Sequence, residues 1–231
     1  MQVESLRRYN IQLLDRAIVL LDILSTQSPL GLLPHEIAQS SGLHKSTVHR
    51  LLSALKHHRL VERDTKTGRY CLGFKLFELG VKAVPNVNLL GHARNHLERL
   101  VFETGETAHL CVLVEHEILY LDKLESPKTI RMASSVGGRN PAFCSAVGKV
   151  LLAALPEAEL DNLLRRHKLV PFTSNTIVTP AQFKAVLQQV RENGYAVDNE
   201  EREEGLRCIG APIRDHTGEI IAAMSVAGPA Y

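Results

Sequence analysis

Apolar side chains recur at helical spacing through much of the first third of the chain. Residues 11 to 25, IQLLDRAIVLLDILS, put them on one face with charges on the other and predict a first helix. In SPLGLLPHEIAQSSGL, turn residues lead to Pro34 in the first turn of a short helix, which Gly42 ends. GLHKSTVHRLL, residues 42 to 52, follows at once. Here Val48, Leu51, Leu52 and Leu55 fall at i, i+3, i+4 and i+7, one apolar stripe about 100° wide. The opposite arc carries Ser46, His49, Arg50 and Ser53, flanked by Lys45, Thr47 and Lys56. Two short helices joined by a tight glycine-containing turn outline a helix-turn-helix. LVERDTKTGRYCLG, residues 60 to 73, sets Leu60, Val61, Tyr70 and Leu72 around the polar turn DTKTG and predicts a β-hairpin, the wing of a winged helix.

Further along, FKLFELGVKAV (74 to 84) continues helically, PNVN breaks it, and LLGHARNHLERLVFETG resumes an amphipathic helix. The pattern then shifts to strands. TAHLCVLVEHEILYLDKLE reads as two strands around a turn at Glu115 to Glu117, and IRMASSV as a third. A turn at Gly137 and Gly138 leads into FCSAVGKVLLAAL, and helices are expected near 156 to 167 and 180 to 193. YAVDN, LRCIGAPIRD and EIIAAMSVAG close the chain as three more strands, the last two joined through His216, Thr217 and Gly218. Strands, then helices, then strands again predict an α+β domain with a mainly antiparallel sheet. The expected organisation is a winged helix-turn-helix over 1–73, a helical linker over 74–90 and a second domain over 91–231.

Composition narrows the partners. The 231 residues are 45% apolar, enough for two ordinary cores. Cys71, Cys111, Cys144 and Cys208 lie far apart and form no CxxC pair, so neither a disulfide framework nor a zinc knuckle is indicated and a cytoplasmic location is expected. MQVESLRRYN is too polar for a signal peptide, and VLLAAL (150 to 155) is far too short to span a bilayer, so no membrane partner is expected. Through Lys82, twelve Lys/Arg stand against seven Asp/Glu, and from Ala83 onward fifteen stand against eighteen. The basic third also holds five of the eleven histidines. That asymmetry points to a polyanion partner for the first domain alone.

The polar arc of 42 to 52 clusters Lys, Ser, Thr, His and Arg without one carboxylate. Solvent asks only for polarity, whereas double-stranded DNA asks for these donors: guanine O6 and N7 accept from Arg or Lys, and hydroxyls serve phosphates or bases. Lys45, Ser46, Thr47, His49 and Arg50 are therefore expected at groove and phosphate contacts, with Arg50 the candidate base reader. A surface histidine such as His49, taken alone, usually does nothing. Lys66 and Arg69 on the wing are candidates for phosphates or the adjacent minor groove.

Both halves together are more specific. GLHKSTVHRLL, YCLG with a following FELG, GGRNPAFCSAVGKVLLA, GYAVDNEEREEGLRCIGAPIRD and AAMSVAGP, in this order and spacing, resemble the IclR family of bacterial transcription regulators over nearly the whole chain. The resemblance implies a winged-helix DNA reader, a linker helix and a GAF-like effector-binding domain, assembled as a homodimer or a dimer of dimers. No cofactor and no metal are expected.

Two segments would then face each other in an effector pocket. Ser145 in PAFCSAVGKVLL can cap a helix that starts near Ala146, leaving backbone N–H groups at the positive end of the helix dipole. The resemblance implies that the amides of Ala146 and Val147 hold a carboxylate or carbonyl of a small organic acid, and that Asp198, Cys208 and Ser225 line the same pocket. Taken singly, Ser145 is a cap, Cys208 a small buried hydrophobe and Asp198 a strand end. Ala146 stands where the family often has Gly, and Ala227 where a second Ser is common, so pocket size and polarity are expected to differ from relatives.

Two other functions are open to the sequence alone. An enzyme would use Cys208 as nucleophile, or hold a metal with His109 and Cys111 from one strand face; the sequence names neither a base nor further ligands. A nucleic-acid-binding protein without sequence preference would show little discrimination and steep salt dependence.

Overall fold

The computed structural model describes residues 12–27, 31–83, 87–128 and 134–231. The chain divides into two compact units, with the division between Val87 and Asn88.

The first unit contains α1 (Gln12–Gln27), α2 (Pro34–Ser41), α3 (Lys45–His57), the hairpin β1 (Val61–Arg63) and β2 (Tyr70–Leu72), and α4 (Phe74–Ala83). Its core is the predicted stripe of α3, Val48, Leu51, Leu52 and Leu55, packed with Leu20 and Leu24 of α1, Ile37 of α2, and Val61 and Tyr70 of the hairpin. Leu20, Ile37, Val48, Leu52 and Val61 are fully buried, each such side chain contributing about 1.5–3 kcal/mol. Gly42 ends α2 at φ 66°, a left-handed turn that glycine adopts without strain. β1 and β2 pair antiparallel, Val61 opposite Leu72 and Arg63 opposite Tyr70. The hairpin gains a third partner that the pattern did not announce. Leu32 and Tyr70 exchange backbone hydrogen bonds of 2.9 and 2.7 Å, tying the wing to the start of α2.

The second unit begins with the body of α5 (Val87–Thr104). It continues through β3 (Thr107–Val114), β4 (Glu117–Leu124), β5 (Arg139–Pro141), a 3-10 turn (Ala142–Cys144), α6 (Ala146–Ala153), α7 (Glu157–Arg166) and α8 (Pro180–Asn193). β6 (Ala196–Asn199), β7 (Leu206–Arg214) and β8 (Ile220–Pro229) close it. One six-stranded sheet runs β5-β4-β3-β8-β7-β6, antiparallel at every pairing. Alternation along the strands gives it two apolar faces. Ala108, Leu110 and Ala222 meet Ala93 and Leu97 of α5. Cys111, Ile118, Tyr120, Ala196 and Ala223 face α6, α7 and α8 on the other side, around Leu152, Leu160, Phe183 and Leu187.

The third strand expected at IRMASSV needs correction. Residues 130–133 lie outside the described residues, Ser134–Val136 form no strand, and the outer strand is Arg139–Pro141. Its pairing is set one turn earlier. Gly137, at φ 81°, donates to the Tyr120 carbonyl at 2.8 Å, and Tyr120 donates to the Gly138 carbonyl at 3.1 Å. Pro141 then closes the strand at the sheet edge, where a missing N–H costs nothing. Among the described residues no helix is long and apolar enough to cross a membrane.

A helix-turn-helix surface and a buried pocket

With its apolar stripe buried, α3 turns the opposite arc outward: Lys45, Ser46, His49 and Arg50 are exposed and Thr47 is half-buried. The arc is anchored at its start by a residue the sequence reading passed over. His44 caps the helix, its Nδ1 accepting from the Ser46 amide at 3.4 Å and lying 2.8 Å from the Ser46 hydroxyl. No acidic residue stands in the first turn, and Lys56 and His57 sit in the last. Lys66 is exposed at the wing tip, where the Asp64 carboxylate accepts from the amides of Lys66 (2.7 Å) and Thr67 (2.8 Å). Those two bonds hold the Asp64 carboxyl below the usual carboxylate range.

Arg69, the other wing candidate, is engaged within the fold. Its guanidinium donates to the Gly31 carbonyl at 2.9 Å and pairs with Glu36 at 3.1 Å. Glu36 also accepts from the Leu33 amide at 2.7 Å. Arg69 therefore links the wing to the first turn of α2.

The second unit contains a cavity of about 260 Å³ whose wall includes all six residues expected there: Ser145, Ala146, Val147, Asp198, Cys208 and Ser225. Strand register explains the convergence. Thr107, Ala227, Cys208 and Asp198 lie side by side across β3, β8, β7 and β6, and His109, Ser225, Gly210 and Ala196 form the neighbouring row. Gly210 is where α6 comes down on the sheet, for a Cβ there would stand 2.9 Å from the backbone of Ala146 and Val147. Ser145 caps α6, its Oγ accepting from the Gly148 amide at 3.1 Å. The amides of Ala146 and Val147, in the first turn, have no intrahelical acceptor, and they sit at the positive end of the helix dipole. Ala227 is buried within its row.

Sequence reasoning missed five polar wall residues: His109, Tyr120, Asn140, Arg202 and Glu203. His109 is 1% exposed and bonds Ser134 Oγ through Nε2 at 2.8 Å. Burial, with the Lys123 cation adding to it, pulls its pKa down to about 4, so the ring is neutral at pH 7. Asn140 donates to the Tyr120 hydroxyl at 3.1 Å, and burial pushes that phenol up to about 12. Among the described residues no three His, Cys, Asp or Glu side chains are grouped to hold a metal. Burial, reinforced by Asp198 directly opposite, pushes the Cys208 thiol well above its ordinary range. A thiol so held carries almost no thiolate.

Asp198 carries the most perturbed carboxyl of the wall. Burial raises it from 3.8 to about 6, aided by Glu201, while the Glu201 amide at 2.9 Å and the Lys149 ammonium pull it back. Between those values the folded chain holds a proton that the unfolded chain has released. The group's contribution to stability is therefore complete below about 3.8 and lost as pH rises through about 6. Asp198→Asn keeps the acceptor for the Glu201 amide but cannot ionise. It is expected to match the parent near pH 4 and exceed its stability near pH 7.5, by urea unfolding at both values. An equal offset at the two pH values would remove the raised carboxyl.

The comparisons with known proteins agree with both halves. The family model for the IclR helix-turn-helix domain matches residues 13–65, and that for the bacterial transcriptional regulator IclR C-terminal matches residues 81–231. The chain is 38% identical over 216 residues to the HTH-type transcriptional regulator XynR of Escherichia coli, covering 94% of this chain and 85% of the relative. It is 35% identical over 221 residues to the transcriptional repressor IclR of the same organism, covering 95% and 80%. The crystal structure of Thermotoga maritima IclR superposes with a TM-score of 0.76 at 36% identity, covering 95% of this chain and 88% of that one. An IclR homologue from Microbacterium hydrocarbonoxydans, solved with 4-hydroxybenzoate, gives a TM-score of 0.83 at 26% identity, covering 94% and 89%. A DNA-binding winged-helix unit followed by an effector-binding α+β unit, matched in order by both family models, shows that this chain belongs to the IclR family of bacterial transcriptional regulators.

Proposed function

We propose that this chain reads operator DNA through α3 and the wing in the cytoplasm, and that a small organic acid in the α6 pocket modulates its affinity. The observation that carries the DNA reading is the outer arc of α3, which exposes Lys45, Ser46, His49 and Arg50 with no carboxylate among them. Lys66 adds a phosphate contact from the wing tip. In the pocket, the α6 amides of Ala146 and Val147 take the acid's carboxylate, with Ser145, Asp198, Cys208 and Ser225 around it. The relative solved with 4-hydroxybenzoate supports this class of effector. Pairing of two copies is supported by apolar side chains left outward on the first unit, Leu14 and Ile18 on α1 and Phe74 and Phe77 on α4, the two phenylalanines 76% and 71% exposed. A two-fold homodimer, alone or doubled, sets the α3 helices on half-sites about one helical turn apart or a multiple of it. The 74–90 segment, which joins the two units, is where two arrangements of differing DNA affinity are exchanged. Cys208 is given no nucleophilic role, because burial and the facing Asp198 favour its thiol form.

The test is a gel shift on DNA upstream of the protein's own gene against scrambled competitor, with small organic acids added. Tight binding to one fragment, released or strengthened by an acid, supports the proposal. Equal binding to scrambled DNA with steep salt dependence overturns it in favour of backbone-only binding. Arg50→Ala is expected to weaken operator binding by about 1–3 kcal/mol if the side chain pairs with a guanine. An unchanged affinity would remove Arg50 from the base readers.

A further inference from the structure

The pocket wall contains two carboxyl groups, Asp198 and Glu203, and among the described residues one cationic side chain, Arg202. His109 does not add a charge, since it is neutral at pH 7. Arg202 is not placed there for an ion pair. Its guanidinium lies 4.0 Å over the ring of Phe172, and Phe172 in turn stacks on Phe143 with centroids 6.1 Å apart. Phe143 stands two residues before Ser145, the cap of α6. The three-tier stack thus fixes Arg202 beside the helix start that supplies the free amides. Cys144, between them, registers that proximity: burial pushes its thiol up to about 12, while the Arg202 charge pulls it the other way.

Stacking occupies the face of a guanidinium and leaves its edge, with the N–H donors, free to bond. Among the described residues those donors meet no acceptor. An unpaired, aromatically braced guanidinium in a cavity wall is arranged for an anion that arrives from solution. The α6 amides form a second anion position of different origin. A cavity of about 260 Å³ admits only a small molecule, and its wall also offers the hydroxyl of Tyr120, the amide of Asn140 and the ring of His109.

We propose that Arg202 makes this pocket selective for a small dicarboxylic acid, one carboxylate held by the amides of Ala146 and Val147 and the second by the Arg202 guanidinium. The inference rests on the effector-pocket reading above and specifies its ligand class. The neutral polar groups of the wall favour an oxo or hydroxyl substituent on the connecting carbons. Glu203, exposed at the rim, repels any acid; an acid with one carboxylate would leave Arg202 unpaired.

The experiment is calorimetric titration of the full chain with chain-matched acids: succinate against butyrate, and 2-oxoglutarate against 2-oxopentanoate. The diacid of each pair is expected to bind about ten- to hundredfold more tightly than its partner, the worth of one charge-assisted bond in a partly dry site. Arg202→Gln, which retains a planar polar group over Phe172 without the charge, is expected to remove that difference. Arg202→Lys, a point charge, is expected to restore part of it. Each variant is first checked for an unchanged melting temperature, and Arg202→Lys keeps the test decisive if the glutamine variant is unstable. Equal affinities within a pair, or a preference that survives in Arg202→Gln, overturns the assignment while the effector pocket stands. Binding of neither acid at millimolar concentration overturns both.

Discussion

Lys149→Met is expected to cost the effector-binding unit about 3–5 kcal/mol, the usual penalty for stranding one partner of a buried ion pair. Lys149 is 1% exposed inside α6, and its ammonium pairs with Glu201 and donates to the Val197 carbonyl. Glu201 is 5% exposed, and its second oxygen, Oε2, has no partner among the described residues. With the ammonium gone, that carboxylate must stay buried without a counter-charge, take up a proton, or force the loop open. For a unit of this size the loss corresponds to a fall in melting temperature on the order of 10 °C. The double variant Lys149→Met, Glu201→Leu separates pairing from packing, because apolar replacement of a whole buried pair is often neutral. Its stability is expected to return most of the way, measured by urea unfolding. A single variant within about 1 kcal/mol of the parent, or a double variant no better than the single, would show that the pair is not what holds α6 to the 197–201 segment.

The same pair bears on the pocket. Lys149 follows the α6 turn whose amides face the cavity, and Glu201 donates its own amide to Asp198 at 2.9 Å. One ion pair therefore spans the two segments expected to face each other across the ligand. Effector response is expected to fall with stability in Lys149→Met and to recover in the double variant only as far as α6 regains its seat.

How far this could be read without coordinates depends on the range of the signal. The α3 stripe was legible because burial in one helix obeys a local period, and all four of its residues are buried. The Ser145 cap was legible for a similar reason, as a small polar residue before an apolar helical run. Convergence of Asp198, Cys208 and Ser225 is a matter of register among three strands, which no single segment encodes. Those positions came from the family resemblance rather than from spacing. Lys149 reads as a surface residue in any window of its helix, since its partner lies 52 residues away. Arg202 sits in the charge run NEEREEGLR, where nothing distinguishes a pocket cation from a solvated one. The Arg69 ion pair was equally hidden. A basic residue on a wing gives one signal whether it meets a phosphate or, as here, Glu36, 33 residues away.

Gly148→Ala is expected to be the most damaging single methyl in the second unit, while Gly91→Ala, on α5, is expected to stabilise it. A Cβ at Gly148 would stand 2.0 Å from the Ala142 carbonyl oxygen and 2.5 Å from its carbon, far inside contact distance. The obstacle is backbone, so no rotamer relieves it. Ala142 is fixed in turn by its amide on the His116 carbonyl at 3.1 Å. Retreat on the other side is closed at Gly210, already in tight approach to Ala146 and Val147. The helix start is therefore clamped between a 3-10 turn and a strand, and overpacking of such a site costs about 3 kcal/mol or more. At Gly91 an added Cβ meets nothing within 4 Å, and the change gains about 0.4–1 kcal/mol by restricting the unfolded chain. Opposite signs in the two unfolding midpoints are the expected result. Gly148→Ala should also abolish any acid-induced rise in melting temperature, because the amides that face the cavity are displaced first. A Gly148→Ala chain with parental stability and an intact ligand shift would mean that α6 is not clamped at its start, and the anion position assigned to Ala146 and Val147 would lose its rigid frame.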